Sequence, residues 1–329
     1  MAVMAGSYLR MLREYRGKDF QAFISQHDRL FRLAKERGDH GEVTRNYYSV
    51  MGPLIEAYYG PSYHFVPPER RGQSFEASIE RLYRWVIDVL GLQSGVHVVD
   101  LGCGVGGAVR GVARMSGCRA TGITMGPNEV EEGNALIAAA SLSDRCRIVE
   151  GNMQELPFDD GSLDAAMAIY ALKYLPRLDR VMAEVARVLK PGGRFCAYSI
   201  VKTDAYDPEN PQHTEIVSRF EYATGMPALH TQNDQIRAAE EAGLICIERG
   251  EMQGAAPWYH YFVVNPLIPW AVRSRSLNVA VGLGERLRLF PHGFQRFTDV
   301  FVNGTVRDII RAGRMGILTG AGAVAFEKP

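Results

Sequence analysis

The sequence has no excess of either charge. Its 329 residues include 37 lysines and arginines and 37 aspartates and glutamates, so the formal net charge at pH 7 is zero. A protein that is drawn to nucleic acid or to a strongly anionic membrane by its overall field needs a basic excess. We therefore expect no nucleic-acid partner.

Cysteines are few and are not paired along the chain. The five of them, Cys103, Cys118, Cys146, Cys196 and Cys246, are odd in number and contain no C-x-x-C spacing. Disulfide frameworks and structural zinc sites use closely spaced pairs. The pattern predicts a reduced, cytoplasmic chain with neither a disulfide framework nor a metal site.

The sequence also lacks an apolar run that could span a bilayer, and its first residues do not have the pattern of a secretory signal. Its most apolar late stretch is YFVVNPLIPWAV, residues 261–272, which is short and contains two prolines and an asparagine. This stretch predicts either a buried helix pair or a surface that touches lipid. The buried helix pair is the default for a globular chain.

The sequence does contain an alternation of short apolar strands and helices. The predicted strands are VHVVDL (96–101), CRATGIT (118–124), CRIVEG (146–151), LDAAMAIY (163–170) and RFCAYSIV (194–201). A helix over 178–190 is expected to end at Pro191-Gly192-Gly193. The alternation predicts an α/β fold, a mostly parallel sheet with helices on both faces. The pattern is interrupted over 251–319 and ends with a last strand, GAGAVAFEKP.

The first predicted strand ends on Asp100 and leads directly into a glycine-rich turn, Gly102-Cys103-Gly104. Ligands of open α/β sheets bind beyond the carboxyl ends of the strands, and glycine lets the backbone approach a ligand closely. The spacing matches neither the dinucleotide pattern G-x-G-x-x-G nor a loop that ends in G-K-[ST]. Three roles stay open: a phosphate cradle, room for a nucleoside without phosphate, or tight strand-to-helix packing.

Polar side chains follow the next two strands at similar places. Thr124 ends the second strand, and Glu129 lies in the first turn of the next helix, where a carboxylate can bind a ribose diol or merely complement the helix dipole. Asn152 and Met153 follow the third strand, where they could contact an adenine amino group and ring. Asn152 alone would more often be a turn residue. Together with the glycine turn, the set predicts a nucleoside site.

These motifs resemble the core pattern of class I S-adenosylmethionine-dependent methyltransferases. The matching stretches are VVDLGCGVGG (98–107), ELPFDDGSLDAA (155–166) and VARVLKPGGRF (185–195). The resemblance implies a Rossmann-like seven-stranded fold and S-adenosylmethionine, a cofactor without phosphate. The residues that it implies around this cofactor are Asp100, Gly102, Cys103 and Gly104 at the methionine and ribose, Thr124 and Glu129 at the ribose, Asn152 and Met153 at the adenine, and Ile169 at the end of the fourth strand.

A narrower resemblance covers the chain from about Tyr47 to its end. The stretches YHFVPPERRGQSFEASIERL (63–82), VKTDAYDPENPQHTEI (201–216) and GMPALHT (225–231) are similar to the sterol C-methyltransferases. The resemblance implies a helical cap at 1–75, a cofactor-binding core at 76–250, an apolar lid over a sterol at 251–319 and a final strand at 320–329. It places Tyr48 near the cofactor and allows a peripheral membrane contact through 255–319.

Two stretches differ from the sterol methyltransferases that act on the side chain. EAYYGPSYHF (56–65) lacks their tryptophan, and Tyr170 in AIYALKYLP stands where they carry a glutamate. Methylation of an isolated alkene creates a carbocation that a carboxylate stabilises, whereas tyrosine offers an aromatic face. AIYALKYLP and GMPALHT are most similar to the nematode-type sterol A-ring 4-methyltransferases.

Methylation at carbon 4 of a keto-sterol proceeds through an enolate and needs a base and a donor to the oxyanion. The candidates in the matched regions are Tyr170, His64, His230 and Glu221, and either histidine fits a structural role equally well. Three alternatives stay open. They are methylation of the side chain at carbon 24, methylation of another terpenoid or lipid, and a lipid-binding module without catalysis.

Overall fold

The computed structural model describes residues 19–38, 40–59, 64–226, 228–265 and 267–329. Its strands are β1 (His97–Leu101), β2 (Arg119–Thr124), β3 (Cys146–Glu150), β4 (Leu163–Ile169), β5 (Leu189–Lys202), β6 (Ile245–Glu251) and β7 (Leu318–Glu327). Its helices are α1 (Phe20–Arg37), α2 (Gly41–Tyr59), α3 (Phe75–Leu90), α4 (Gly107–Ser116), α5 (Pro127–Ala139), α6 (Asp179–Val188), α7 (Pro211–Thr224), α8 (Gln232–Glu241), α9 (Leu267–Arg273), α10 (Arg275–Arg286), α11 (Phe294–Phe297) and α12 (Thr305–Met315).

The chain divides into two compact units. The sheet unit comprises residues 64–203, 230–258 and 319–329, and the helical unit comprises the described residues of 1–63, 204–229 and 259–318. The resemblance places 204–229 in the cofactor-binding core, but the structure groups this segment with the N-terminal helices. Three segments that are distant in sequence therefore share one helical core.

The sheet unit contains seven strands in the order β3-β2-β1-β4-β5-β7-β6. Four neighbouring pairs are parallel, β1 with β2 and β4, β2 with β3, and β4 with β5, whereas β6 and β7 are antiparallel. This confirms the predicted α/β sheet of the Rossmann-like type. Because β1, β2 and β4 run in the same direction, their carboxyl ends lie at the same edge, where such sheets bind ligands.

Helix α3 shows how local residues set the ends and the buried face of a helix. The Ser74 side chain accepts a hydrogen bond from the amide of Ala77, and Gly91 ends the helix in the left-handed conformation. Its residues at three- and four-residue spacing are buried, among them Leu82 and Val86. The one-sided apolar pattern therefore decides which face of this helix packs inward.

The end of α6 differs from the expectation. The helix stops at Val188, and Leu189 already pairs with Leu163 of β4. The Pro-Gly-Gly turn lies inside β5, where the Gly192 amide donates to the Lys328 carbonyl at 2.7 Å. The expected helix end was wrong by two residues because strand pairing and the C-terminal segment compete for this backbone.

The helical unit has an aromatic core. Phe20 and Phe23 of α1 pack against Phe294, Phe297 and Phe301, with ring centroids 4.3–5.8 Å apart. Such edge and tilted contacts add to the free energy of apolar burial. Within the described residues, no helix combines the length and apolarity needed to cross a bilayer.

Candidate functional site

The glycine turn after β1 is tied to the neighbouring strand. The amides of Gly102 and Cys103 both donate to the Ile123 carbonyl, at 2.9 and 3.0 Å. A Cβ on Gly102 would lie 2.7 Å from the Cβ of Ala171 and 2.9 Å from the Cε of Met153. Gly104 is also left-handed, with φ +53°, but a Cβ there would meet nothing within 4 Å. Packing thus requires Gly102, and Gly104 borders space that a ligand can fill.

Two ionisable groups lie at this strand end, the buried Asp100 and the half-buried Cys103. Burial raises the pKa of the Asp100 carboxyl to about 7. Burial also raises the pKa of the Cys103 thiol above its ordinary range, and its Sγ donates to the Gly104 carbonyl at 3.3 Å. A thiol with a raised pKa is a poor nucleophile, and the contact of Cys103 with the cofactor stays a prediction. A cation bound beside Asp100 would favour its ionised form.

The end of β2 holds a carboxylate in a fixed orientation. The Thr124 hydroxyl donates to Glu129, which lies in the first turn of α5 and is half-buried. A Cβ on Gly126 would lie 2.7 Å from the Glu129 Oε2, so a larger residue there would displace this carboxylate. The structure thus brings Thr124 and Glu129 together in an arrangement that fits a ribose diol.

Asn152 and Met153 differ in their surroundings. Asn152 is exposed, and its Oδ1 accepts a hydrogen bond from the Gln154 amide at 2.9 Å, as is typical of a turn. Its contact with adenine stays a prediction. Met153 is half-buried against the sheet core and reaches Gly102. An apolar side chain therefore borders the glycine turn, and such a side chain suits packing against a planar ring such as adenine. Ile169 is buried at the end of β4.

Tyr170 follows β4 in the left-handed conformation, with φ +59°. Its hydroxyl donates to the Gly320 carbonyl at 2.5 Å and accepts from the Phe65 amide at 3.3 Å. Burial raises the pKa of this hydroxyl well above its ordinary value. The ring lies 5.3 Å from the ring of His64. Tyr170 and His64 are therefore neighbours, and two backbone groups engage the tyrosine hydroxyl.

Lys173, which is not among the residues predicted from the sequence, lies in the short 3₁₀ helix Leu172–Tyr174. Its side chain is buried, and its Nζ lies 4.4 Å from the ring centroid of Tyr170 and 4.9 Å from that of Tyr174. Burial lowers the pKa of the amine to about 7, and no described carboxylate offsets this effect. A lysine inside the apolar stretch ALKYLP was the available signal, because lysine is rarely buried without a partner.

The remaining predicted residues are placed as follows. The Nε2 of His230 donates to the Leu175 carbonyl at 2.7 Å, and burial lowers the pKa of this imidazole. Glu221 belongs to the helical unit, where its Oε1 accepts from the Leu229 amide at 2.8 Å. Tyr48 also belongs to the helical unit and is 40% exposed. The roles of these three residues stay predictions. The stretch 56–63, which lacks the tryptophan, lies outside the described side chains.

The arrangement of polar groups at three strand ends can be compared with known proteins. Residues 99–197 match a family model described as a methyltransferase domain. The chain is 43% identical over 328 residues to the sterol 4-C-methyltransferase strm-1 of Caenorhabditis elegans, covering 99% of this chain and 98% of that protein. It is 30% identical over 316 residues to a sterol 24-C-methyltransferase of Yarrowia lipolytica, covering 90% of this chain and 82% of that protein.

A solved structure supports the fold. The cyclopropane synthase MmaA2 of Mycobacterium tuberculosis superposes with a TM-score of 0.62 at 16% identity, over 81% of this chain and 90% of that one. An identity this low speaks only to the fold. The full-length similarity in sequence and the strand-end geometry together confirm the predicted family. The chain belongs to the sterol methyltransferase family of class I enzymes that use S-adenosyl-L-methionine.

Proposed function

We propose that this protein methylates carbon 4 in the A ring of a keto-sterol. The supporting observation is the end of β4, where the hydroxyl of Tyr170 is tethered to two backbone groups. By the resemblance described above, the sterol methyltransferases that act on the side chain carry a glutamate at this position. The higher identity to the Caenorhabditis elegans sterol 4-C-methyltransferase, 43% against 30% for the 24-C enzyme, agrees with this choice.

The sheet unit provides the residues that would hold the cofactor. Asp100 would face the positive charge of the cofactor, Glu129 would bind its ribose, and Met153 would pack on its adenine. The space beside Gly104 would receive its methionine and ribose part. When bound, S-adenosylmethionine supplies an electrophilic methyl group. The chain's own task is then to generate a carbon nucleophile and to exclude water.

Lys173 is the base that best fits this task. The carbon next to the ketone must lose a proton, and the electron pair of the broken C–H bond then moves toward the ketone oxygen. A neutral amine with a pKa of about 7 can accept that proton at Nζ. The ring faces of Tyr170 and Tyr174 would stabilise the resulting ammonium.

The base candidates predicted from sequence have other partners. A backbone carbonyl accepts from Tyr170, another accepts from His230, and a backbone amide donates to Glu221. His64, whose ring lies beside that of Tyr170, is the proposed donor to the enolate oxygen. In this proposal Lys173 takes the proton, and His64 stabilises the charge on the enolate oxygen.

The test is a product analysis with labelled S-adenosylmethionine. The acceptors are a 3-keto-sterol, the matching 3-hydroxy-sterol and a sterol with a side-chain alkene. We expect a 4-methyl product from the ketone alone, located by mass spectrometry and NMR. A methyl group on the side chain would establish the 24-C alternative, and transfer to no acceptor would favour a binding module.

A peripheral membrane contact through residues 255–319 is part of this proposal. Among the described side chains between 264 and 289, seven large apolar ones are exposed, including Trp270 at 61%, Val279 at 68% and Leu289 at 73%. Such a surface can dip into the headgroup region of a bilayer, in which a sterol is dissolved. Co-flotation of the protein with phosphatidylcholine vesicles tests this contact.

A further inference from the structure

The helical unit contains a pocket that the methyltransferase reaction does not use. Its volume is about 420 Å³, and it lies among α9, α12 and the first turn of α7. Four guanidinium groups line it, those of Arg273, Arg307, Arg311 and Arg314. Apolar side chains, among them the buried Ile310, also line it.

The regular spacing of α12 brings these charges together. Residues at i, i+4 and i+7 lie on one face of a helix, so Arg307, Arg311 and Arg314 project from the same side. Arg273, the last residue of α9, adds a fourth charge. Gln212 lines the same pocket from the first turn of α7, where the helix dipole is positive.

Few ion pairs with carboxylates offset the charge of these arginines in the described part of the chain. The Nη2 of Arg307 lies 3.8 Å from the Oδ1 of Asp299, and an exposed ion pair at this distance is weak. Asp308 on the same helix is already bound to Arg219, whose Nη2 lies 2.8 Å from its Oδ1. Four like charges around one cavity repel one another, and an anion in the cavity would remove that repulsion.

The surroundings of the pocket favour a lipid over a soluble anion. Trp270 is exposed between two lining residues of α9, Pro269 and Val272, and tryptophan is the residue typical of the membrane interface. Leu277 on the following helix is also exposed. A soluble phosphate would gain nothing from these apolar neighbours. A phospholipid would bring its phosphate to the arginines and its acyl chains to the apolar side chains.

We propose that this pocket binds the phosphate of an anionic phospholipid and so anchors the helical unit to a membrane. Guanidinium groups bind phosphate with paired hydrogen bonds, and each arginine near an anionic surface strengthens the attraction. The inference rests on the membrane contact proposed above and is independent of which sterol carbon is methylated. The zero net charge of the chain conceals this local basic cluster.

The experiment compares vesicles of phosphatidylcholine alone with vesicles that also contain phosphatidic acid. The wild type is expected to bind the mixed vesicles more tightly. The variant Arg311→Gln/Arg314→Gln should lose roughly tenfold of its partition into mixed vesicles and keep its binding to phosphatidylcholine. Arg311→Lys/Arg314→Lys, which keeps the charge but not the paired geometry, should lie between the two.

Two further variants separate a loss of vesicle binding at the pocket from a general charge effect and from the apolar contact. Arg29→Gln/Arg32→Gln on α1 removes the same charge from exposed positions outside the pocket. An equal loss in that control would overturn the pocket site and leave only a general charge effect. Trp270→Gln should weaken binding to both kinds of vesicle.

The failure of this inference differs from the failure of the membrane contact. If Trp270→Gln loses binding and the arginine pair does not, the contact stands and the phosphate site is overturned. If the wild type binds no vesicle while inorganic phosphate raises its melting temperature, both the lipid source and the membrane contact are overturned.

Discussion

The segments that follow β1 and β4 use the same backbone conformation with opposite residue types. Gly102 has φ +75° and Tyr170 has φ +59°. Glycine adopts this conformation freely, whereas for tyrosine it costs about 1–2 kcal/mol. Hydrogen bonds to Phe65 and Gly320 hold the tyrosine in place. The first segment borders space that a ligand can fill, and the second fills its space with an aromatic face under a buried lysine.

The largest effect is expected from Lys173→Met. The variant keeps an unbranched apolar side chain but has no amine, so turnover of a keto-sterol should fall by about 10²- to 10⁴-fold while cofactor affinity is retained. Steady-state kinetics and calorimetry measure the two quantities. In the wild type kcat/KM should rise as pH rises through about 7, because only the neutral amine accepts a proton.

Lys173→Arg is the matched control for this prediction. Arginine stays protonated at accessible pH, so it keeps the positive charge without basic function and should not restore turnover. Wild-type turnover in the methionine variant would remove Lys173 from the mechanism.

The two glycines of the first segment should separate stability from binding. Gly102→Ala meets Ala171 and Met153 and should lower the free energy of unfolding by about 2 kcal/mol. Gly104→Ala meets no protein atom, so it should cost about 1 kcal/mol of stability yet weaken cofactor binding at least roughly tenfold. Urea unfolding and calorimetry measure these effects. Wild-type affinity in Gly104→Ala would mean that this space holds no ligand.

A smaller effect is expected from Tyr170→Phe. The ring stays over Lys173, but a backbone carbonyl and an amide lose their partner, which should cost about 1–3 kcal/mol of stability. Turnover should fall less than in Lys173→Met, with cofactor affinity unchanged. A loss of turnover as large as that of the lysine variant would instead make the hydroxyl itself catalytic.

The last effect concerns pH. The Asp100 pKa of about 7 lies above its ordinary 3.8, so the native carboxyl keeps a proton that the unfolded chain has lost between these values. Without cofactor, stability should therefore decline as pH rises from about 4 to 7. Affinity for the cationic cofactor should improve over the same range as the carboxylate ionises. Asp100→Asn should remove both trends in thermal melts and calorimetry.

Several features of the site were predictable because they depend on local order. Asp100, the glycine turn, Glu129 and Met153 follow successive strands, and parallel strands bring their carboxyl ends to one edge. Lys173 was not predictable in the same way. Its charge is visible in the sequence, but its lowered pKa depends on burial by residues that are remote along the chain.

The sequence by itself determined the alternation of strands and helices, since apolar periodicity acts over a few positions, and the cofactor class and the family followed from the resemblance of its motifs to class I methyltransferases. Only the tertiary structure decided that 204–229 joins the helical unit, that Tyr170 is left-handed and tethered to Gly320, and that four arginines surround one pocket. The physical reason is that burial, packing and local charge density are sums over neighbours in space.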